Sequence, residues 1–498
     1  MTDRRVTYTF GPLERRGILG PVRAGQALLL AVAAVSAIVV VDEIPSATGV
    51  LLAMALLAVA TAASFAPLSG RPVQGWIPVC GAFVLRLVAA RGRWRSRAPG
   101  AGTLAGRLGR READLLDPPA DPPLAIGDVR IQSASYAGRQ MGTLVERSGR
   151  RLTAVLACRG SAFSLLDEDA QERRLARWGL VLSGSGGTAI RRLQWVERTA
   201  PAQGDEMARW LHSERDPSVP LRGTAMIESY LELISTSARV TQEHEILVAI
   251  QVDARRVRER GSGAVMRALV EQTEHVAHAI EAAEVHVLGA LSPGHLARAV
   301  RVAFDPYARG EMAVVEAADT QRDGLREVNS WPLGTREAWD HYQSDGALHA
   351  TYWIGSWPRI DVTPLFMDSL LGPSGAVRAV AVTFEPLATE RSTREVEAAI
   401  TRDRADRELR ARFGQAETAR QRQAAEATKR REAELAAGHA EVRLSGFVTV
   451  SGRDRDDLRR ACSEVLEHAA RARLELHRLY GQQAEAFTFT LPLCRGLR

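Results

Sequence analysis

Two unbroken apolar runs dominate the start of the hydrophobic pattern, ALLLAVAAVSAIVVV at 27–41 and GVLLAMALLAVATAASFAPL at 49–68. From Ala24 to Val41 a helix rises about 27 Å at about 1.5 Å per residue, enough to cross a bilayer core. The break between the runs, DEIPSATG, is acidic and contains Pro45 and Gly49. The pattern therefore predicts a transmembrane helical hairpin over 24–69. Buried helices of a soluble core carry a polar stripe that these runs lack. A cleaved signal peptide is not followed at once by a second apolar run and a basic patch.

The next apolar stretch, WIPVCGAFVLRLVAARGRWRSR at 76–97, is too short to cross and has Arg86 at its middle. It is expected to lie along the membrane interface, with Trp76 and Trp94 at headgroup depth and the Arg91–Arg97 cluster facing anionic lipid. DPPADPP at 117–123 reads as a stiff linker.

Beyond residue 124 the period switches between two and 3.6. RLTAVLACRG (151–160), AIRRLQWVER (189–198), QEHEILVAIQV (242–252), EVHVLGAL (284–291) and VRLSGFVTV (442–450) read as strands. Helices are expected at 167–182 and 256–282. Another follows 450, with Leu458, Ala461, Cys462, Val465, Leu466 and Ala469 on one face, and RLELHRLY (473–480) returns as a strand. The fold class is α/β (α+β), built from repeated strand–helix–strand units of split βαβ type. From about 393 to 437 the chain is polar on all sides, a long exposed helix or helical hairpin held by i,i+4 ion pairs. The tail FTFTLPL predicts a closing strand over Ala486–Leu491 that buries Phe487 and Phe489. The domain order is then 1–23 basic terminus, 24–69 hairpin, 70–123 juxtamembrane segment and linker, 124–300 first subdomain and 301–498 second subdomain.

Charge orients this layout. Arg4, Arg5, Arg15, Arg16 and Arg23 precede the first span, and a run of arginines from Arg71 to Arg111 follows the second, while the connecting turn has no basic residue. The positive-inside rule makes the protein multi-pass with both termini and the bulk of the chain cytoplasmic. The net charge of +6 over 498 residues comes almost wholly from arginine, since Lys429 is the only lysine. Cys80, Cys158, Cys462 and Cys494 are far apart, with neither disulfide nor zinc spacing.

No motif supplies chemistry. GSGG at 184–187 resembles a phosphate cradle, but a P-loop needs a lysine where this chain has none, so it reads as a helix-to-strand turn. His275, His278 and His286 complete no metal motif. The expectation is no enzyme, with no catalytic residue, cofactor or metal. The aromatic stretch TYWIGSWPR at 351–359 reads first as core, although tryptophan beside arginine also marks interfaces.

Taken together, the basic start and hairpin, VRVAFDPYARG (300–310), REAWDHYQSDGALHATYWIGSWPR (336–359), REAELAAGHAEVRLSGFVTV (431–450) and LYGQQAEAFTFTLPL (479–493) resemble a family of actinobacterial integral membrane proteins. That family is found with conjugation or type IV secretion-like machinery. Its hairpin is similar to the PrgI-type membrane component, and its soluble part to the non-hydrolytic amino-terminal domain of TraC-type conjugation ATPases. The resemblance implies a non-enzymatic membrane scaffold that contacts lipid, docks a partner ATPase and joins other subunits of a membrane complex, with no direct nucleic-acid contact. The tail then ends a domain whose motor is a separate polypeptide. On this reading the partner interface takes Trp357, Arg359, Tyr480, Gln482 and Pro492. The alternative is an EccE-type component of type VII secretion, which also joins two membrane spans to a large cytosolic domain.

Overall fold

The computed structural model describes residues 24–68, 71–89, 91–96, 122–160, 163–201, 225–226, 228–230, 232–233, 242–259, 261, 263–307, 331–358, 360–412, 419–436 and 441–496. The chain splits into two compact units. One takes in residues 24–90 and 393–434; the other takes in 91–392 and 435–496.

In the first unit, helices α1 (Ala24–Glu43) and α2 (Ala47–Phe65) form the hairpin, and Ser46 caps α2 by accepting from the Gly49 amide. Their shared seam is made of small residues, with Ala33, Ala37, Ala53 and Ala60 buried, so the backbones approach closely. Gln26 Nε2 donates to the Ser64 carbonyl across the seam at 2.7 Å. The outward faces are bare: Leu28, Ile38 and Val59 are 67–69% exposed. A soluble core does not leave such a continuous apolar surface open. Both helices are long and apolar enough to cross a membrane. Helix α3 (Ile77–Val88) follows, with Leu85 and Val88 exposed.

The second unit is one antiparallel sheet made of two like halves. Strand β1 (Arg93–Arg95) lies at one end of it. The first half runs β2 (Val129–Tyr136), β3 (Arg139–Glu146), β4 (Arg151–Arg159), α4 (Glu168–Gly184), β5 (Ile190–Pro201), β6 (Gln242–Asp253), α5 (Ala264–Ala282), β7 (His286–Ala290) and α6 (Pro293–Phe304). The second half runs β8 (Gly334–Glu337), β9 (Tyr342–Ser344), β10 (Ala347–Ser356), a helical turn at Asp368–Leu371 and β11 (Val377–Pro386). Helices α7 (Thr389–Arg412) and α8 (Ala419–Ala436), which belong almost wholly to the first unit, come next in the chain. They are followed by β12 (Val442–Gly452), α9 (Arg455–Arg471), β13 (Glu475–Arg478) and α10 (Gln483–Phe487).

The strand order is β1-β8-β9-β10-β12-β11-β5-β6-β4-β3-β2, with β7 also on β4 and β13 also on β10. Each half is thus a hairpin followed by a βαββαβ unit of order 4-1-3-2, the split βαβ arrangement. The halves meet through their second strands, β5 and β11, paired from Leu193↔Phe384 to Thr199↔Arg378. Side chains alternate across the sheet. One face of the first half packs Leu156, Val248 and Ile250 against Val181 of α4 and Val276 and Ile280 of α5. The opposite face packs Val155, Val196, Leu247 and Ala381 against Leu296 and Phe304 of α6 and against Phe487, Leu491 and Leu493. Helix starts follow local chemistry: Asp167, Ser292 and Asp454 each accept from amides of the turn they begin, and Pro293 sits where its missing N–H costs nothing.

The two-helix hairpin and the mixed α/β region stand as expected, but two local expectations do not. Residues 76–97 are not one interfacial segment, because Arg93–Arg95 is a strand with Trp94 opposite Thr335. The tail holds no strand at Ala486–Leu491. It forms α10 and a 3-10 turn at Thr488–Thr490, since Thr488 and Thr490 bond back to the Glu485 and Phe487 carbonyls. A five-residue alternation fits a helical turn as well as a strand, and the local hydroxyls decide it. DPPADPP lies outside the described residues apart from its last two prolines.

Candidate partner interface

The five residues assigned to a partner surface separate in the structure. Trp357 is buried, its ring lying over Gly446, where an added Cβ would come within 2.9 Å of it. Pro492 is buried within the tail, and Arg359 lies outside the described residues. Tyr480 and Gln482 are half-buried and sit at the turn between β13 and α10. The turn needs Gly481, whose φ of +67° is left-handed and whose missing side chain leaves room for the Trp339 ring.

Around Tyr480 the fold assembles a patch that the sequence reading missed. The Trp339 ring stacks on Tyr480 with centroids 6.4 Å apart and planes 22° apart. The Arg478 guanidinium lies 5.7 Å from the ring centres of both Tyr352 and Tyr480, and its Nε donates to the Asp340 carbonyl at 2.8 Å. The Gly481 amide donates to the Trp339 carbonyl at 2.7 Å, which clamps the turn to the start of the second half. Trp339 stays 37% exposed. Tryptophan, tyrosine and arginine held rigidly at a surface are the composition of binding hot spots, because they bring large contact area with little entropy left to lose. WDHY was a visible signal, but Trp339 and Tyr480 are brought together only by the pairing of β10 with β13.

The tail is bonded into the fold rather than presented at its edge. The Gln194 side chain donates to the Phe489 carbonyl and accepts from the Cys494 amide, both at 2.7 Å. Gln251 donates to the Leu493 carbonyl at 3.2 Å, and Arg192 pairs with Glu385 while donating to the Cys494 carbonyl. Gln194, Arg192 and Gln251 belong to the first half, so the last described residues fasten the two halves together.

Burial pushes the Cys158 thiol up to about 11 and the Cys494 thiol higher still, which keeps both protonated. Among the described residues no cluster of His, Cys, Asp or Glu could hold a metal ion. GSGG forms the turn from α4 to β5, with Gly187 left-handed.

Residues 240–354 match a family model described as EccE, a putative type VII ESX secretion system translocon. That stretch is less than a quarter of the chain and runs from β6 to Ile354 in β10, including Trp339 and Tyr352 of the patch. No curated protein matches the chain. The match overturns the resemblance to the conjugation and type IV secretion-like family, and with it the reading of the chain as that machinery's scaffold. The tail's apolar side chains Phe487, Leu491 and Leu493 are covered within the fold, as expected of a closing segment.

Proposed function

We propose that the chain is an EccE-like membrane component of a type VII (ESX) secretion system, acting through contact with other subunits of that complex rather than through chemistry of its own. The match over 240–354 carries this reading. The two bare apolar helices support a membrane anchor with both flanks on the cytoplasmic side. The patch of Trp339, Arg478 and Tyr480 is the proposed subunit contact.

The test is affinity purification of the tagged full chain from native membranes in mild detergent, followed by mass spectrometry. Other ESX components should co-purify, and a Trp339→Ala, Tyr480→Ala double variant with unchanged melting should lose most of them. Recovery of the chain without any ESX component would overturn the reading. Reporter fusions at Ser46 and after Arg111 should give opposite signals.

A further inference from the structure

At one end of the first half, arginines outnumber the groups that could neutralise them. Asp253, at the end of β6, is 2% exposed. Arg150 grips it with two bonds of 2.9 and 3.0 Å, and Arg191 adds a third at 2.8 Å. Arg151 stands 4.0 Å from the same carboxylate while bonding Glu146, and Arg256 donates to the Ile190 carbonyl at 2.6 Å. Around this core Arg147, Arg255 and Arg258 are exposed. Residues 146–151, 191 and 253–258 therefore hold seven arginines against two carboxylates. The whole chain carries only +6, so this is a strong local excess of positive charge.

We propose that this end of the first half binds the anionic surface of a lipid bilayer, with Arg147, Arg255 and Arg258 as the contacting residues and the Asp253 cluster as the frame that holds their turns. Two observations favour lipid over other polyanions. These segments contain no aromatic residue, so they offer no platform on which bases could stack. The same chain carries two helices fit to span a bilayer, and such a tether keeps a weak basic surface at high effective concentration beside the headgroups. Asp253 cannot neutralise three neighbouring guanidiniums, so the field at the rim stays positive and falls off within a Debye length. The proposal needs the two spans but not the secretion-system reading.

The test uses the full chain in nanodiscs of phosphatidylcholine alone or with about one third phosphatidylglycerol, read by backbone hydrogen exchange at 147–151 and 254–259. Exchange in both turns should slow at least threefold in the anionic discs, and 0.5 M NaCl should abolish the difference. An Arg147→Gln, Arg255→Gln, Arg258→Gln variant, which leaves the Asp253 bonds intact, should show no slowing. Equal exchange in the two discs, or slowing that survives the triple variant, would overturn the proposal. So would slowing in phosphatidylcholine discs on adding inorganic phosphate, which would mark a phosphate site instead. A chain that fails to co-elute with either disc removes the tether and sinks the spans as well. Incorporation with unchanged exchange sinks the headgroup contact alone.

Discussion

The two halves of the sheet share one strand order but fill it differently. In the first half β4 and β6 bury aliphatic side chains on both faces, with Val155, Leu156, Leu247 and Ile250 all at 0% exposure, and the buried Gln194 and Gln251 bond outward to the tail. In the second, the equivalent strands bury a connected run of hydroxyls and an imidazole. His349 bonds Ser451 at 2.8 Å, Thr351 bonds Thr449 at 2.9 Å, and Thr449 bonds Thr490 at 2.8 Å. Gln483 accepts from the Thr351 amide at 2.8 Å. The first connection also shrinks, from the seventeen-residue α4 to a four-residue turn at Asp368–Leu371. The topology thus accepts either filling, provided every buried polar group is matched. An aliphatic face accepts many partners of the right volume. A chain of hydroxyls and amides accepts one arrangement, and here it fixes where α10 and the tail sit.

The strongest way to break the comparison is at a ring that touches both fillings. Phe487 is 2% exposed and lies 5.0 Å from Phe304 of the first half and 4.7 Å from His349 of the second, measured between ring centres. Phe487→Ala should cost about 3–5 kcal/mol in denaturant unfolding. A loss below about 1 kcal/mol would mean the halves do not share this core.

A smaller effect tests the tail's hold on the first half. Gln194→Leu removes both 2.7 Å bonds and leaves two tail backbone groups unmatched, at about 1–3 kcal/mol each. Proteolysis of 488–496 should become faster than in the wild type, and unchanged cleavage would show that the tail is held by its apolar residues alone.

The smallest expected effect separates the two fillings by pH. Among the described residues the buried histidines, His341 and His349, are both in the second half. Burial pushes the His349 imidazole from its ordinary 6.5 down to about 4, against the opposing pull of the Phe304 carbonyl. The folded state therefore holds the ring neutral. The stability this contributes is whole above pH 6.5 and is lost as pH falls from 6.5 toward 4, reaching about 2 kcal/mol by pH 5. His349→Gln should flatten the fall in stability between pH 6.5 and 4.5 relative to wild type. Parallel curves would place the pH sensitivity elsewhere.

How far the sequence could be read tracks how local each feature is. The hairpin was legible because its two apolar runs meet no charge, and β12 because Val448 and Val450 alternate with polar neighbours toward α9. Split βαβ units were visible from β4, α4, β5, β6, α5 and β7. The hairpin β2–β3 was not, since its burial breaks off at Gln132 and Ser133, both exposed. The tail misled because two phenylalanines spaced by two fit a strand as well as a helical turn. Of the proposed patch, Tyr480 was named from the sequence, but Arg478 and Trp339 were not, because Arg478 reaches a loop 138 residues away.

The fastening of the tail has a consequence for the order of events during synthesis. Gln194 and Gln251 find their carbonyl and amide partners 300 and 242 positions later in the chain. At about 5–20 residues per second, Gln194 waits about 15–60 s at the ribosome before the strap that seals the first half's open face exists. Over that interval Val196, Leu247 and Ala249 lack part of their cover while the apolar hairpin has already emerged. The nascent chain then offers two adhesive surfaces at once, and early insertion of the hairpin into the bilayer leaves only one of them for chaperones to shield.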